Sequence, residues 1–183
     1  RIRKWETDIK VQIKNISQLD RQSIAEVDSA IAVIAPLIAP LKIERVYSNG
    51  NLLVYRNVKE FPEAETDGHN PNGLAVVDPR PNYSWGIQSA RIYDSYSSHS
   101  HTLMHEFEHA LGLEHPHKTY SIYLTIGRSA IPQYFSSRRE WMELMKKPFY
   151  LSKQEKTVIR MLYSPEIKSG LRKEFFMQAM DLK

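Results

Sequence analysis

Residues 105 to 115 read His105-Glu106-Phe107-Glu108-His109-Ala110-Leu111-Gly112-Leu113-Glu114-His115 and hold three of the chain's seven histidines. On a helix, a spacing of four places His105 and His109 one turn apart on a shared face, where both imidazoles can reach one ion. Glu106 stands beside them, where a carboxylate can hold and deprotonate a water activated by that ion. Gly112 permits a sharp turn, because glycine reaches left-handed backbone angles that other residues resist, and the turn brings His115 back as a third ligand. His117, two residues on, is the alternative should the turn run differently. Three neutral imidazoles with one open position make a catalytic rather than a structural arrangement, and zinc is the ion expected there. The chemistry that follows is hydrolysis: zinc acidifies its water and steadies the oxyanion, while Glu106 takes the proton and passes it to a leaving amine.

Such a site needs a helix with one face in the core. Leu103, Phe107, Ala110 and Leu111 fall on the side away from His105 and His109, and Ser97, Ser98 and Ser100 offer N-caps. Upstream, Ile9 to Ile13 alternates as a half-buried strand, and Ser17 and Asp20 open an amphipathic helix of about 17 residues that ends near Pro36 to Pro40. Strand-like segments follow at 41–47 and 52–57 around the turn formers Ser48-Asn49-Gly50, and 59–72 reads as an exposed loop. Gly73 to Val77 is a short strand whose neighbouring prolines, Pro79 and Pro81, suit an edge, and Ile87 to Tyr93 is another. Beyond His115 the periodicity fades until the capping box Ser152-Lys153-Gln154-Glu155 opens a helix carrying Val158, Ile159 and Leu162. A last helix is expected over 170–182.

At 183 residues, with 42% hydrophobic and 25% charged, the chain suits one globular domain. It has no cysteine, so any metal must use nitrogen and oxygen ligands. The longest apolar run, Ala30 to Leu41, is broken by Pro36 and Pro40 and is too short to span a bilayer. A net charge of +4 is modest, and Arg138-Arg139 and Lys146-Lys147 lack the aromatic platforms of a nucleic-acid surface, so no nucleic-acid partner is expected. Glu108 and Glu114 read as solvated carboxylates, and His69, His99 and His101 as surface or capping residues. No oxygen-rich calcium loop is evident.

Over 73–116 and again over 144–163 the chain resembles the metzincin clan of zinc metallopeptidases, in pattern closest to its matrixin-like members, with no subfamily assigned. The resemblance implies an α+β, zincin-like fold: a twisted, mostly parallel mixed sheet with an antiparallel edge strand, an active-site helix, and a smaller helical C-terminal subdomain, here 116–183 after 1–115. It implies that Gly73, Leu74, Ala75, Val76 and Val77 form the edge that binds extended substrate by adding it to the sheet. The clan also carries a methionine turn beneath the metal. The segment close to His115, Ser121-Ile122-Tyr123, has none, leaving Met142 and Met145. Met145 fits better, since Pro148-Phe149-Tyr150 follows it, with Pro148 and Tyr150 as candidate walls of the S1' pocket and an insertion within 118–142.

The expected activity is therefore zinc-dependent endopeptidase action on extended protein or peptide substrates by a monomer. The alternatives are a zinc-bound interaction module that is silent or blocked by its own chain, and a surface-binding domain using the basic pairs. The resemblance places the protein outside the cell, in a periplasm or anchored at a surface. Arg1 without an initiator methionine reads as a trimmed N-terminus.

Overall fold

The computed structural model describes residues 1–62, 73–79, 85–95, 100–114, 151 and 153–172. Their strands are β1 (Lys4–Trp5), β2 (Ile9–Ile13), β3 (Ile43–Val46), β4 (Leu52–Val58), β5 (Gly73–Pro79) and β6 (Gly86–Ser95), and their α-helices are α1 (Arg21–Ile34), α2 (Ser100–Ala110) and α3 (Lys153–Leu162). The fold is α+β around one mostly parallel sheet. In that sheet β3 pairs with β2, β2 with β4 and β4 with β6, all parallel. β5 runs antiparallel along β6 from Asp94 to Ile87. β1 also pairs with β6, at Gly86 and Ile87. Ile87 and Ala90 each have a second partner in β5, so β1 and β4 must share the opposite side of β6. β5 is thus the edge strand at one margin and β3 closes the other.

The period-two pattern of β2 sets its faces: Ile9, Val11 and Ile13 are buried, whereas Lys10 is exposed. Leu52 and Val54 of β4 and Ala90 and Ile92 of β6 continue this apolar face. α1 packs on it through Val27, Ala30, Ile31 and Ile34, and α2 through Leu103, Phe107, Ala110 and Leu111. Each of the Val, Leu, Ile and Phe side chains contributes about 1.5–3 kcal/mol by leaving water, and the alanines less. α1 starts at Asp20, whose side chain accepts a hydrogen bond from the Ser23 N–H at 2.7 Å and is held below the usual carboxylate range by it. It ends after 14 residues, earlier than the periodicity predicts, because the chain tightens into a 3-10 turn at Ala35–Leu37, where Pro36 lacks an N–H.

The turn formers at 48–50 do not make a hairpin. β3 and β4 flank β2, so the connection crosses over that strand at Lys10 to Gln12 and is held there by the Asn51 N–H on the Lys10 carbonyl at 3.0 Å. At the other end of the chain, Gly170 to Arg172 is not helical: Gly170 takes φ +84° and its N–H donates to the Ile2 carbonyl at 2.9 Å, so no helix begins there. Among the described residues no helix is long and apolar enough to cross a membrane.

Candidate metal centre

α2 carries His105, Glu106 and His109 with the faces the sequence predicts, the core side chains fully buried and the two imidazoles at the margin. Their Nε2 atoms lie 3.0 Å apart and the rings stand edge to face. Two nitrogens bound to a tetrahedral zinc at about 2.0–2.1 Å stand roughly 3.4 Å apart, so opening the pair by a few tenths of an ångström would seat the ion. The tautomer is right for one ligand already. His109 Nδ1 is 2.8 Å from the Leu113 carbonyl, which can only accept, so Nδ1 carries the hydrogen and, in the neutral ring, Nε2 keeps its lone pair.

That carbonyl is placed by the turn that ends α2. The Leu113 N–H donates to the Glu108 carbonyl at 3.1 Å and the Gly112 N–H to the His109 carbonyl at 2.9 Å, the two bonds of a Schellman motif. Gly112 sits at φ +98°, and a Cβ there would lie 2.1 Å from the Arg3 carbonyl oxygen. The glycine is needed twice, for its backbone angle and for the strand pressed against it. His115 lies outside the described residues, and among those described no three His, Cys, Asp or Glu side chains gather around one point. His117, Met142, Met145, Pro148, Tyr150, Ser97, Ser98, His69 and His99, the basic pairs and the 118–142 insertion are likewise outside them.

Glu106 is 5% exposed and faces β5, where it accepts a hydrogen bond from the Ala75 N–H. β5 can lie this close because residue 73 is glycine: a Cβ would come within 2.7 Å of Glu106 Oε1 and 2.8 Å of Thr102 Cγ2. Burial, then the nearby negative charge of Asp94, pushes Glu106 up to about 8, against the lowering effect of the Ala75 bond. Asp94 is itself fully buried and paired with Arg56 Nη1 at 2.5 Å, and Arg56 also bonds Glu26 of α1. The guanidinium supports the charge on Asp94, and Asp94 disfavours a second charge on Glu106.

Two readings of the sequence are corrected here. Glu108 is not solvated: it is 0% exposed, and neither of its oxygens has a hydrogen-bond partner among the described residues. Its place on α2 turns it inward, and burial followed by the charge of Glu155 on α3 pushes it well above the usual carboxylate range. His101 is not on the surface either, being buried one turn before His105. Glu114 is exposed, as expected. A carboxyl whose folded pKa is raised costs the fold nothing below its unfolded pKa, and stability is lost as pH climbs from there through the folded value. Glu108→Met should therefore stabilise the metal-free protein by about 1–3 kcal/mol at pH 8 and much less at pH 5. Unfolding temperatures across that range in chelator check it, and an unchanged pH slope would count against a proton held at Glu108.

No family model matches this chain, and none of the curated proteins compared with it matches either. The geometry of α2, β5 and the Gly112 turn therefore stands on its own residues.

Proposed function

We propose that the protein is a zinc-dependent endopeptidase with a zincin-like fold, similar to the metzincins. The observation that carries this reading is the pairing of His105 and His109 Nε2 atoms at 3.0 Å, with His109 held in a ligating tautomer by Leu113. Glu106 lies beside that pair on the same helix, buried against the edge strand. His105, His109 and His115 would hold the ion. When bound, zinc supplies a Lewis acid and lowers the pKa of its water to about 7.

The remaining steps belong to the chain. Glu106 takes the proton from the attacking water and returns it to the leaving amine. Its burial keeps bulk water from competing, and the Ala75 N–H fixes its direction. β5 pairs only with β6 among the described residues, which leaves its outer side for an extended substrate segment bound through main-chain hydrogen bonds. Such binding gives affinity with little dependence on sequence.

The test is cleavage of an unfolded protein by the zinc-loaded chain, abolished by chelation and restored by zinc. Stoichiometric zinc without cleavage would replace this reading with the silent interaction module. Absence of zinc binding would overturn both.

A further inference from the structure

The end of α2 is held from outside the histidine motif. The last carbonyls of a helix have no partner within it, and here two of them are met by buried donors far away in sequence. The Trp5 indole N–H donates to the Ala110 carbonyl at 2.8 Å, and the Tyr163 hydroxyl to the Leu111 carbonyl at 2.9 Å. Both side chains are buried, and the Arg3 carbonyl abuts Gly112 one residue further on. β1 with the residues before it and the end of α3 with the residues after it are also tied to each other, by the Ile2 N–H on the Leu171 carbonyl at 2.8 Å and by Lys4 Nζ on the Leu162 carbonyl at 3.1 Å. Strands and helices from opposite ends of the chain thus close on one turn.

That turn is the one whose Leu113 carbonyl orients His109. We infer that Trp5 and Tyr163 are positioning residues of the metal site: by fixing the Ala110 and Leu111 carbonyls they set the turn that orients His109. The inference rests on the zinc reading above. It adds that zinc affinity depends on two side chains that touch neither the ion nor its ligands. Core packing alone predicts something different, namely a loss of stability with no particular effect on metal affinity.

The experiment measures zinc affinity by competition with a chelating dye, and the visible spectrum of the cobalt-substituted protein, for wild type, Trp5→Phe and Tyr163→Phe. Each variant keeps an aromatic ring: Tyr163→Phe removes only the hydroxyl, whereas Trp5→Phe removes the indole N–H together with some buried ring volume, a loss that the control below accounts for. A control, Ile43→Ala on β3, removes core volume at the far margin of the sheet from β5. Loss of an outer-shell partner typically weakens metal binding about 10–100-fold. The expected result is a loss of about tenfold or more in each donor variant with a changed cobalt spectrum, and wild-type affinity in Ile43→Ala even where its unfolding temperature falls as far. If one donor variant fails to fold, the other carries the comparison. Wild-type zinc affinity and spectrum in the folded donor variants would overturn the inference while leaving the zinc reading intact. A wild type that takes up no zinc would overturn both.

Discussion

Glu106→Gln should lower cleavage of an unfolded protein by at least about 10²-fold, the low end for loss of a general acid–base group, while making the metal-free protein more stable at pH 8 and above. The two effects have one origin. Folding takes the Glu106 carboxyl out of water and sets it near Asp94, which raises it from 4.5 to about 8. Below pH 4.5 both folded and unfolded chains carry the proton and the group is neutral to stability. Between the two values only the folded chain holds it, so stability drains away with rising pH and the full loss is reached above about 8. Glutamine cannot ionise, so the variant escapes a loss on the order of a few kcal/mol, and its advantage should vanish toward pH 4.5. Zinc should erase the difference in wild type, because a cation beside His105 favours the ionised carboxylate. Unfolding temperature against pH, with chelator and with zinc, reads the stability arm, and initial cleavage rates read the other. Equal pH slopes for wild type and Glu106→Gln would remove the burial argument. Undiminished cleavage would remove Glu106 from the chemistry.

How far such a site can be read from sequence depends on whether its causes are local. The histidine helix is legible because its spacing and its apolar face repeat within one window, and Leu103, Phe107, Ala110 and Leu111 are buried as the pattern requires. The turn at Gly112 is legible for the same reason. So is the edge position of β5, since Pro79 and Pro81 bear on that strand's own pairing. What escapes is whatever a distant element decides. Glu108 looks solvated because carboxylates usually are, and nothing in its own window shows that it is buried or that the charge of Glu155, on another helix, lies close enough to raise it further. Trp5 and Tyr163 carry no local sign of their task, because the carbonyls they meet belong to another element. The residues at 48–50 announce a turn correctly but say nothing of which strand lies beyond it, and β2 is found between β3 and β4. Arg56 falls within an expected strand and Asp94 just past one, with no local mark on either, yet they pair across β4 and β6, and the charge of Asp94 adds to burial in raising Glu106.

Gly112→Ala should be the most damaging single methyl group in the described part of the chain, and Gly170→Ala separates its causes. Both glycines have positive φ, +98° and +84°, so an L side chain at either pays the left-handed backbone penalty, about 1–2 kcal/mol. Their neighbours differ. At 170 the new methyl would meet the Trp85 ring at 2.6 Å, and Trp85 is an exposed side chain, covered by the Arg1 and Arg3 guanidinium groups, that can give way more readily than main chain. At 112 it would meet the Arg3 main-chain carbonyl at 2.1 Å, and Arg3 is fixed between the Ile2–Gly170 and Trp5–Ala110 hydrogen bonds. The strand must shift or the turn must open. If the turn opens, Leu113 leaves His109 Nδ1 and the ligating tautomer is no longer enforced. The expected loss at 112 is therefore about 4 kcal/mol or more, in the range that only a few named mechanisms reach, against about 1–2 kcal/mol at 170. Where Gly112→Ala still folds, its zinc affinity should fall by about tenfold or more, while Gly170→Ala keeps the wild-type value. Denaturant unfolding and zinc competition on the two variants provide the measurement. Equal losses at both positions would mean that the backbone angle alone is at stake and that the contact with Arg3 is readily relieved.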